Sequence, residues 1–398
     1  EPTGTTLSLG EPKNTKGTKK HEVGMRKAFL RPVATSPIDW GVRSVTVGGN
    51  PSDRRSAMSH VPLHVPAITI GLDLGDRTSR VYELSAEGRC LRDTTVASTH
   101  AALTAYFGGR VPCRVVLEVG THSPWIAPLL AALGHEVLVA NPSEVFGGRR
   151  RKKKTDAVDA AFLARQGRAD PQLLAPVRHR RPETREHLAL LKARDQVVKL
   201  RTDTINHVRG TVKAAGARVP ACSAEAFATR APAHVPAALE PAITPLLTLI
   251  TQFTTQIRAY DRQLQQLIAT RYPVAARLQQ PAGVGPLTAL AFVLLVEDPA
   301  RFRRSRAVGA YFGLVPRVDQ SSGADPQCRI AKAGDAFGRR LLVHAAHYIL
   351  GPFGPACDLR RYGEQLAVRG GKNAKKRAVV AVARKLAVLL HHLWVTDT

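Results

Sequence analysis

Acidic residues are scarce in this sequence of 398 residues. Asp and Glu number 31 against 58 Lys and Arg, so the formal net charge is +27. A surplus of that size does not define a fold. It points to a polyanionic partner, of which nucleic acid is the commonest. Aromatics are also few, at 5%. No basic amphipathic helix with bulky aromatic anchors is visible, which argues against a cationic membrane protein. No run of 18 or more apolar residues occurs, so no transmembrane helix is expected. The first twenty residues are polar and lack the apolar core of a secretory signal. The five cysteines, Cys90, Cys113, Cys222, Cys328 and Cys357, are odd in number, widely spaced and without a C-x-x-C. That argues against a disulfide framework and a structural zinc site, and predicts reduced thiols.

Apolar residues are present in quantity, at 44%, which excludes wholesale disorder. The length suits two or three domains. Residues 1–66 stand apart: Gly, Thr, Lys, Pro and Ser dominate, no apolar period persists, and disorder is predicted. Both methionines, Met25 and Met58, fall there. Met58, just ahead of the first strand-like run, is a candidate natural start, to be tested by N-terminal sequencing of the native protein.

Residues 67–180 read as a mixed sheet with helices on its faces. Strands are predicted at Ala67–Gly75, Ser79–Ser85, Cys90–Val96, Arg114–Val119 and Glu136–Ala140, and helices at Ser98–Phe107, Pro124–Leu133 and Asp156–Gln166. Residues 181–275 follow as a coiled-coil and linker region. Leu191, Val198, Ile205 and Val212 recur every seven residues, and Pro220–Pro241 reads as a linker. Leu246, Ile250, Phe253, Ile257, Tyr260, Leu264 and Leu267 then alternate steps of four and three, as a coiled-coil seam requires. The two helices suit an intramolecular hairpin or an oligomer, and the seam favours the oligomer. Residues 276–398 read as a compact, mainly helical domain. The fold class is thus α/β followed by α.

The few acids are placed suggestively. Asp73 ends the first strand, and Glu118 lies in an apolar strand, where a carboxylate is costly unless a cation satisfies it. Asp156 and Asp159 share one face of a predicted helix. Oxygen ligands of this kind suit Mg²⁺ or Mn²⁺, and two such ions act on phosphodiesters. Each acid also has a plain reading: Asp73 as a turn residue, Asp156 as a helix N-cap. The GLDLG run further resembles the phosphate hairpin of actin-like ATPases and sugar kinases, but no second Gly-rich loop or Walker loop follows.

Cations cluster beside these acids. Arg149, Arg150, Arg151, Lys152, Lys153 and Lys154 run directly up to Asp156. Such a run is usually a solvated loop, but here it would hold a backbone polyanion at the acids. Gly283 and Gly285 open a helix in the manner of helix-hairpin-helix proteins, whose backbone N–H groups hold phosphate; a plain Gly-rich helix entry fits as well. Arg301, Arg303, Arg304 and Arg306 follow. The QSSG turn, with Ser321 and Ser322, precedes Arg329 and Lys332. It reads as an ordinary loop, or as a nucleophilic hydroxyl with cations for its phosphoryl target. Lys372, Lys375 and Lys376 lead into a last apolar helix.

In order, the blocks GLDLG, LEVGTHS, KTDAVDA, AGVGPLTA, YFGLVP, QSSG, RIAKAGD and AVVAVARKLAVLL resemble the DEDD transposases of bacterial insertion sequences, the bridge-RNA-guided recombinases. The resemblance covers about residue 67 to the end. It implies an RNase H-like (RuvC-like) first domain with Asp73, Glu118, Asp156 and Asp159 as metal ligands for Mg²⁺ or Mn²⁺. It implies a second domain with a serine nucleophile, Ser322 first and Ser321 as the alternate, forming a phosphoserine link to DNA. Donor and target DNA, a structured non-coding guide RNA and a homo-oligomer, dimer or tetramer, are the implied partners, with no membrane. The implied place is the bacterial cytoplasm, at the nucleoid. The segment Ala324–Cys328 departs from the basic, Gly/Lys-rich run expected after the serine. Two other readings stand beside this one: a metal-dependent nuclease or junction resolvase using only the acids, and a degenerate nucleic-acid-binding protein.

Overall fold

The computed structural model describes residues 66–141, 156–317 and 328–397. All belong to one compact unit, Val65–Thr398. The N-terminal stretch expected to be disordered, Pro66 apart, and the Met58 start lie outside the described residues.

Five strands form one sheet: β1 (Ile68–Asp73), β2 (Thr78–Ser85), β3 (Cys90–Ala97), β4 (Arg114–Glu118) and β5 (Glu136–Ala140), in the order β3-β2-β1-β4-β5. The first three form an antiparallel meander, while β4 runs parallel to β1 and β5 parallel to β4. The sequence dictates this mixture. The short turns after β1 and β2 permit hairpins, whereas helices α1 (His100–Phe107) and α2 (Ser123–Ala132) carry the chain across for parallel pairing. Thr99 caps α1, accepting a hydrogen bond from the Ala102 N–H.

The two faces of the sheet differ. Ile70, Leu72, Val115 and Leu117 point to the α1/α2 side and form one buried core with Leu103, Phe107, Ile126 and Leu130. The alternate residues, among them Gly71 and Val116, face helix α3 (Asp156–Ala169). A Cβ on Gly71 would overlap the Ala160 carbonyl oxygen, and one on Gly167 would overlap the Val116 side chain. Only glycine lets α3 lie this close to the sheet.

Helices α4 (Pro182–Ala214) and α5 (Glu240–Arg271) pack together within the chain. The buried row on α5 is Ile243, Leu247, Ile250, Thr254, Ile257, Leu264 and Ile268. Ile250, Ile257 and Leu264 belong to the predicted seam; Leu246, Phe253 and Leu267 sit one position off the buried row, and Tyr260 lies beside half-buried Asp261. The cause is polar. Thr254 receives the Arg201 guanidinium at 3.2 Å, and Asp261 receives Arg194 at 2.7 Å, so two seam places are filled by residues that an apolar pattern passes over. The stretch read as a linker, Pro220–Pro241, is folded. Phe227 and Ala231 are fully buried against Val208, Val212 and Ile243, closing the hairpin tip with a small core of its own.

The C-terminal part surrounds α6 (Pro286–Val296), in which Ala289 through Val296 are all buried. Around it stand α7 (Ala307–Tyr311), α8 (Ala336–Leu350), α9 (Asp358–Val368) and α10 (Ala374–Thr396). By length and composition α10 alone among the described helices could span a membrane, at mean hydropathy 1.5. Here its apolar side, including Val382, Leu386 and Leu390, is buried in the same core as α6 and α8. All five cysteines are free thiols.

Candidate functional site

Alternation along the strands places two of the predicted acids. Gly71 and Val116 are register partners and face α3, so Asp73 and Glu118, two residues further on each strand, project from that same face at the strands' C-terminal ends. Helix α3 runs over this face with Ala160 and Ala164 against Gly71 and Gly167 over Thr69 and Val116. Its first turn, with Asp156 and Asp159, therefore points to the end where Asp73 lies. Asp159 is buried and Asp156 is exposed. Both also suit the positive end of the helix dipole. The structure thus brings all four acids to one end and one face of the sheet.

The donor set is carboxylate only, which fits a hard divalent cation such as Mg²⁺ or Mn²⁺. Among the described residues, no three His, Cys, Asp or Glu side chains stand gathered as a ready-made metal cluster.

One residue at this end was missed in the sequence. Arg80 is the direct β2 partner of Asp73 and so shares its face. Its Nε donates to Asp93 Oδ1 at 2.7 Å. That bond, with the charges of Asp93 and Asp156 nearby, raises the Arg80 pKa above its ordinary value. The signal in the sequence was the alternation of Ser79–Ser85, which fixes the face of Arg80 once the hairpin register is known.

The basic run Arg149–Lys154 and both serines, Ser321 and Ser322, lie outside the described residues. The two ends that flank the serine segment are described. Pro316 and Ile330 form an antiparallel bridge, and the Arg317 N–H donates to the Arg329 carbonyl at 2.9 Å. The Ala331 N–H donates to Val315 at 2.8 Å and the Lys332 N–H to Gly313 at 3.2 Å. Gly313 and Gly334 have positive φ of 63° and 74°, and a Cβ on Gly334 would overlap the Tyr311 carbonyl oxygen. Arg339 ties Phe312 and Ala333 together through their carbonyls. Arg329 and Lys332 are exposed on this bridged base.

The other predicted contacts lie elsewhere. Gly283, with φ of 79°, and Gly285 line a cavity of about 710 Å³ with Arg194, Asp261, Thr288 and Tyr348. Lys372, Lys375 and Lys376 are exposed around the start of α10.

The connection between sheet and helices is short and tied at both ends. The Val177 N–H donates to Val139 of β5 at 2.8 Å. Three residues on, Arg180 donates to the Leu295 carbonyl at 3.2 Å and to the Tyr311 hydroxyl at 2.9 Å. The Arg181 N–H donates to the Glu297 carboxylate at 2.8 Å. Glu297 sits at φ 63° in a γ-turn closed by the Asp298 N–H donating to Val296 at 2.8 Å, a strained backbone for a non-glycine residue.

Two family models match the sequence. A DEDD-type transposase model, of the IS110 kind, covers residues 70–216, which include the four acids. The model of the IS116/IS110/IS902 transposase family covers residues 275–356, which include both serines. The chain is 30% identical over 289 residues to the transposase for insertion sequence element IS1111A of Coxiella burnetii, covering 71% of this chain and 77% of that one. It is 28% identical over 290 residues to the transposase for insertion sequence element IS1328 of Yersinia enterocolitica, covering 71% and 84%.

Proposed function

The chain belongs to the IS116/IS110/IS902 family of insertion-sequence transposases, and from that premise we propose that it cuts and exchanges DNA strands under the guidance of a structured RNA. It is a DNA transposase. The observation that supports the catalytic reading is the placement of Asp73, Glu118 and the Asp156/Asp159 turn towards one end of the α3 face. Bound there, Mg²⁺ or Mn²⁺ ions supply activation of an attacking oxygen and stabilisation of a leaving one. Asp73 and Glu118 hold their side of the site from the strands, and Asp156 and Asp159 from the helix. Ser322, with Ser321 as alternate, is the nucleophile. Its Oγ bonds to phosphorus as the bond from phosphorus to one sugar oxygen breaks; the hydroxyl proton leaves and the departing oxygen takes one up. Attack by the hydroxyl of the incoming strand reverses these steps and frees the serine. Arg329 and Lys332 grip the phosphoryl group, while Arg149–Lys154, Gly283, Gly285, Lys372, Lys375 and Lys376 hold nucleic-acid backbone. The acids of one copy and the serine of another form a composite site in a dimer or tetramer. The protein works at the bacterial nucleoid.

The test is incubation with Mg²⁺, the DNA of the element that encodes the chain, a target duplex and the transcript of the element's non-coding flank. A denaturant-stable protein–DNA adduct is expected, lost in Ser322→Ala and retained in Ser321→Ala. Cleavage without an adduct would mean a hydrolytic nuclease or resolvase. Binding without cleavage would mean an architectural protein. An adduct that survives the double change would remove the serines from the mechanism. Asp156→Asn is expected to abolish strand exchange and leave RNA binding intact.

A further inference from the structure

Every candidate ligand at the acid end of the sheet is negative, and so is the DNA it would receive. We propose that Arg80 is the residue that resolves this conflict, by contacting a phosphate of the DNA strand bound at the acids; the proposal rests on the catalytic reading of those acids. Four observations carry it. Arg80 stands directly beside Asp73 in the β1–β2 register, so it belongs to the acid end and to the α3 face. Tyr82, the next residue on that face of β2, lies against α3 through Arg165, which confirms the side from which Arg80 projects. Asp93 of the neighbouring strand engages Arg80 at Nε, at 2.7 Å. The two terminal NH₂ groups make no other described hydrogen bond, and the side chain keeps 29% exposure.

This arrangement differs from an ordinary surface ion pair. A guanidinium bound bidentately by a carboxylate has spent its fork. Arg80 is held at one corner, which fixes the plane of the group and leaves paired donors open to a tetrahedral anion. The tether lowers the entropy lost when the fork closes on a phosphate. Asp156 is exposed at the same end, and its charge also draws on Arg80. In the unloaded site Arg80 therefore offsets carboxylate repulsion; with DNA in place its free donors face a non-bridging phosphate oxygen. Arg165 and Arg168 are excluded from this task, because they engage Tyr82 and the Ala86 carbonyl further down the sheet. Asp93 acts through Arg80 and is a positioning residue.

Neutral phosphate analogues test the contact in the full-length protein with Mg²⁺, the flank transcript and element-end DNA. Methylphosphonate linkages replace, one at a time, the phosphate at the cleaved bond and those beside it. Arg80→Ala is expected to slow strand cleavage of native DNA about 10- to 100-fold, the scale of one lost charge-assisted contact. Arg80→Lys should recover part of the loss, and the midpoint for Mg²⁺ activation should stay within about twofold. At one linkage the neutral analogue should slow the wild type by a similar factor and slow Arg80→Ala no further. Asp93→Asn should cost less than Arg80→Ala and add nothing to it. Multiplied effects at every linkage, or wild-type rates in Arg80→Ala, would overturn the proposal. Should Arg80→Ala fail to fold, Arg80→Lys enters the same comparison. Full cleavage by Asp156→Asn would instead defeat the catalytic reading of the acids, so the two failures are told apart.

Discussion

Lys332 pairs a positive φ, 56°, with an exposed cation at the base of the serine segment. A lysine in that backbone region costs about 1 kcal/mol relative to glycine, so its side chain must repay the strain in another way. Lys332→Gly is expected to raise the thermal midpoint and to weaken DNA binding; a lower midpoint would mean that the lysine is structural. Glu297 is another non-glycine residue at positive φ. Burial works to raise its carboxyl, but the bonds from Arg181 and Thr184 outweigh that and leave the pKa low. A depressed folded-state pKa gives stability that is complete above the ordinary carboxylate value of about 4 and is lost as pH falls through the folded one. Glu297→Gln should therefore flatten the stability profile between about pH 4 and more acid values, as read by denaturant unfolding at several pH values. By contrast, burial pushes the Cys113 thiol to about 11. It should resist alkylation in the native protein at neutral pH, while exposed Cys90 reacts.

At the scale of elements, the strands were legible because apolar runs bounded by Gly and polar turns have few other uses. The residue at issue in each mismatch was polar or singly apolar. Thr254 and Asp261 displaced the expected seam because their partners, Arg201 and Arg194, lie some 53 and 67 residues away in sequence, where no heptad count reaches. Phe227 was one aromatic in an Ala/Pro-rich stretch, and its burial depends on α4 and α5 meeting first. Phe227→Ala is expected to destabilise the hairpin tip by about 3–5 kcal/mol. Hydrogen exchange at residues 205–250 would report the loss, and an unchanged pattern would return the stretch to linker status. Gly71→Ala tests α3: the added methyl must push the helix off the sheet, so strand cleavage should fall sharply while α4 and α5 keep their exchange protection. The acids could be nominated from sequence because carboxylates interrupt apolar strands. That they share a face needed the register, which pairs Gly71 with Val116.

Across the whole molecule, the excess charge is spread widely. Residues 1–57 hold ten Lys and Arg against five Asp and Glu, leaving +22 for the remainder. Against that background the carboxylates at the C-terminal ends of β1 and β4 form a local exception. Binding to a non-specific DNA duplex should weaken steeply with salt. Replacing Lys372, Lys375 and Lys376 by alanine should reduce the logarithmic slope by about 0.9 per lost phosphate contact. An unchanged slope would mean that these lysines face solvent only. The short tie between sheet and helices bears on motion at this scale. Val177 is fastened to β5 and Arg180 to the C-terminal core, with only Arg178 and His179 between. Three steps of extended chain reach about 10 Å, which caps the separation of the two fastened points. The sheet and the C-terminal core therefore cannot part at this point, and any rearrangement between them has to be a bend at Arg178 and His179, as a door moves on its hinge.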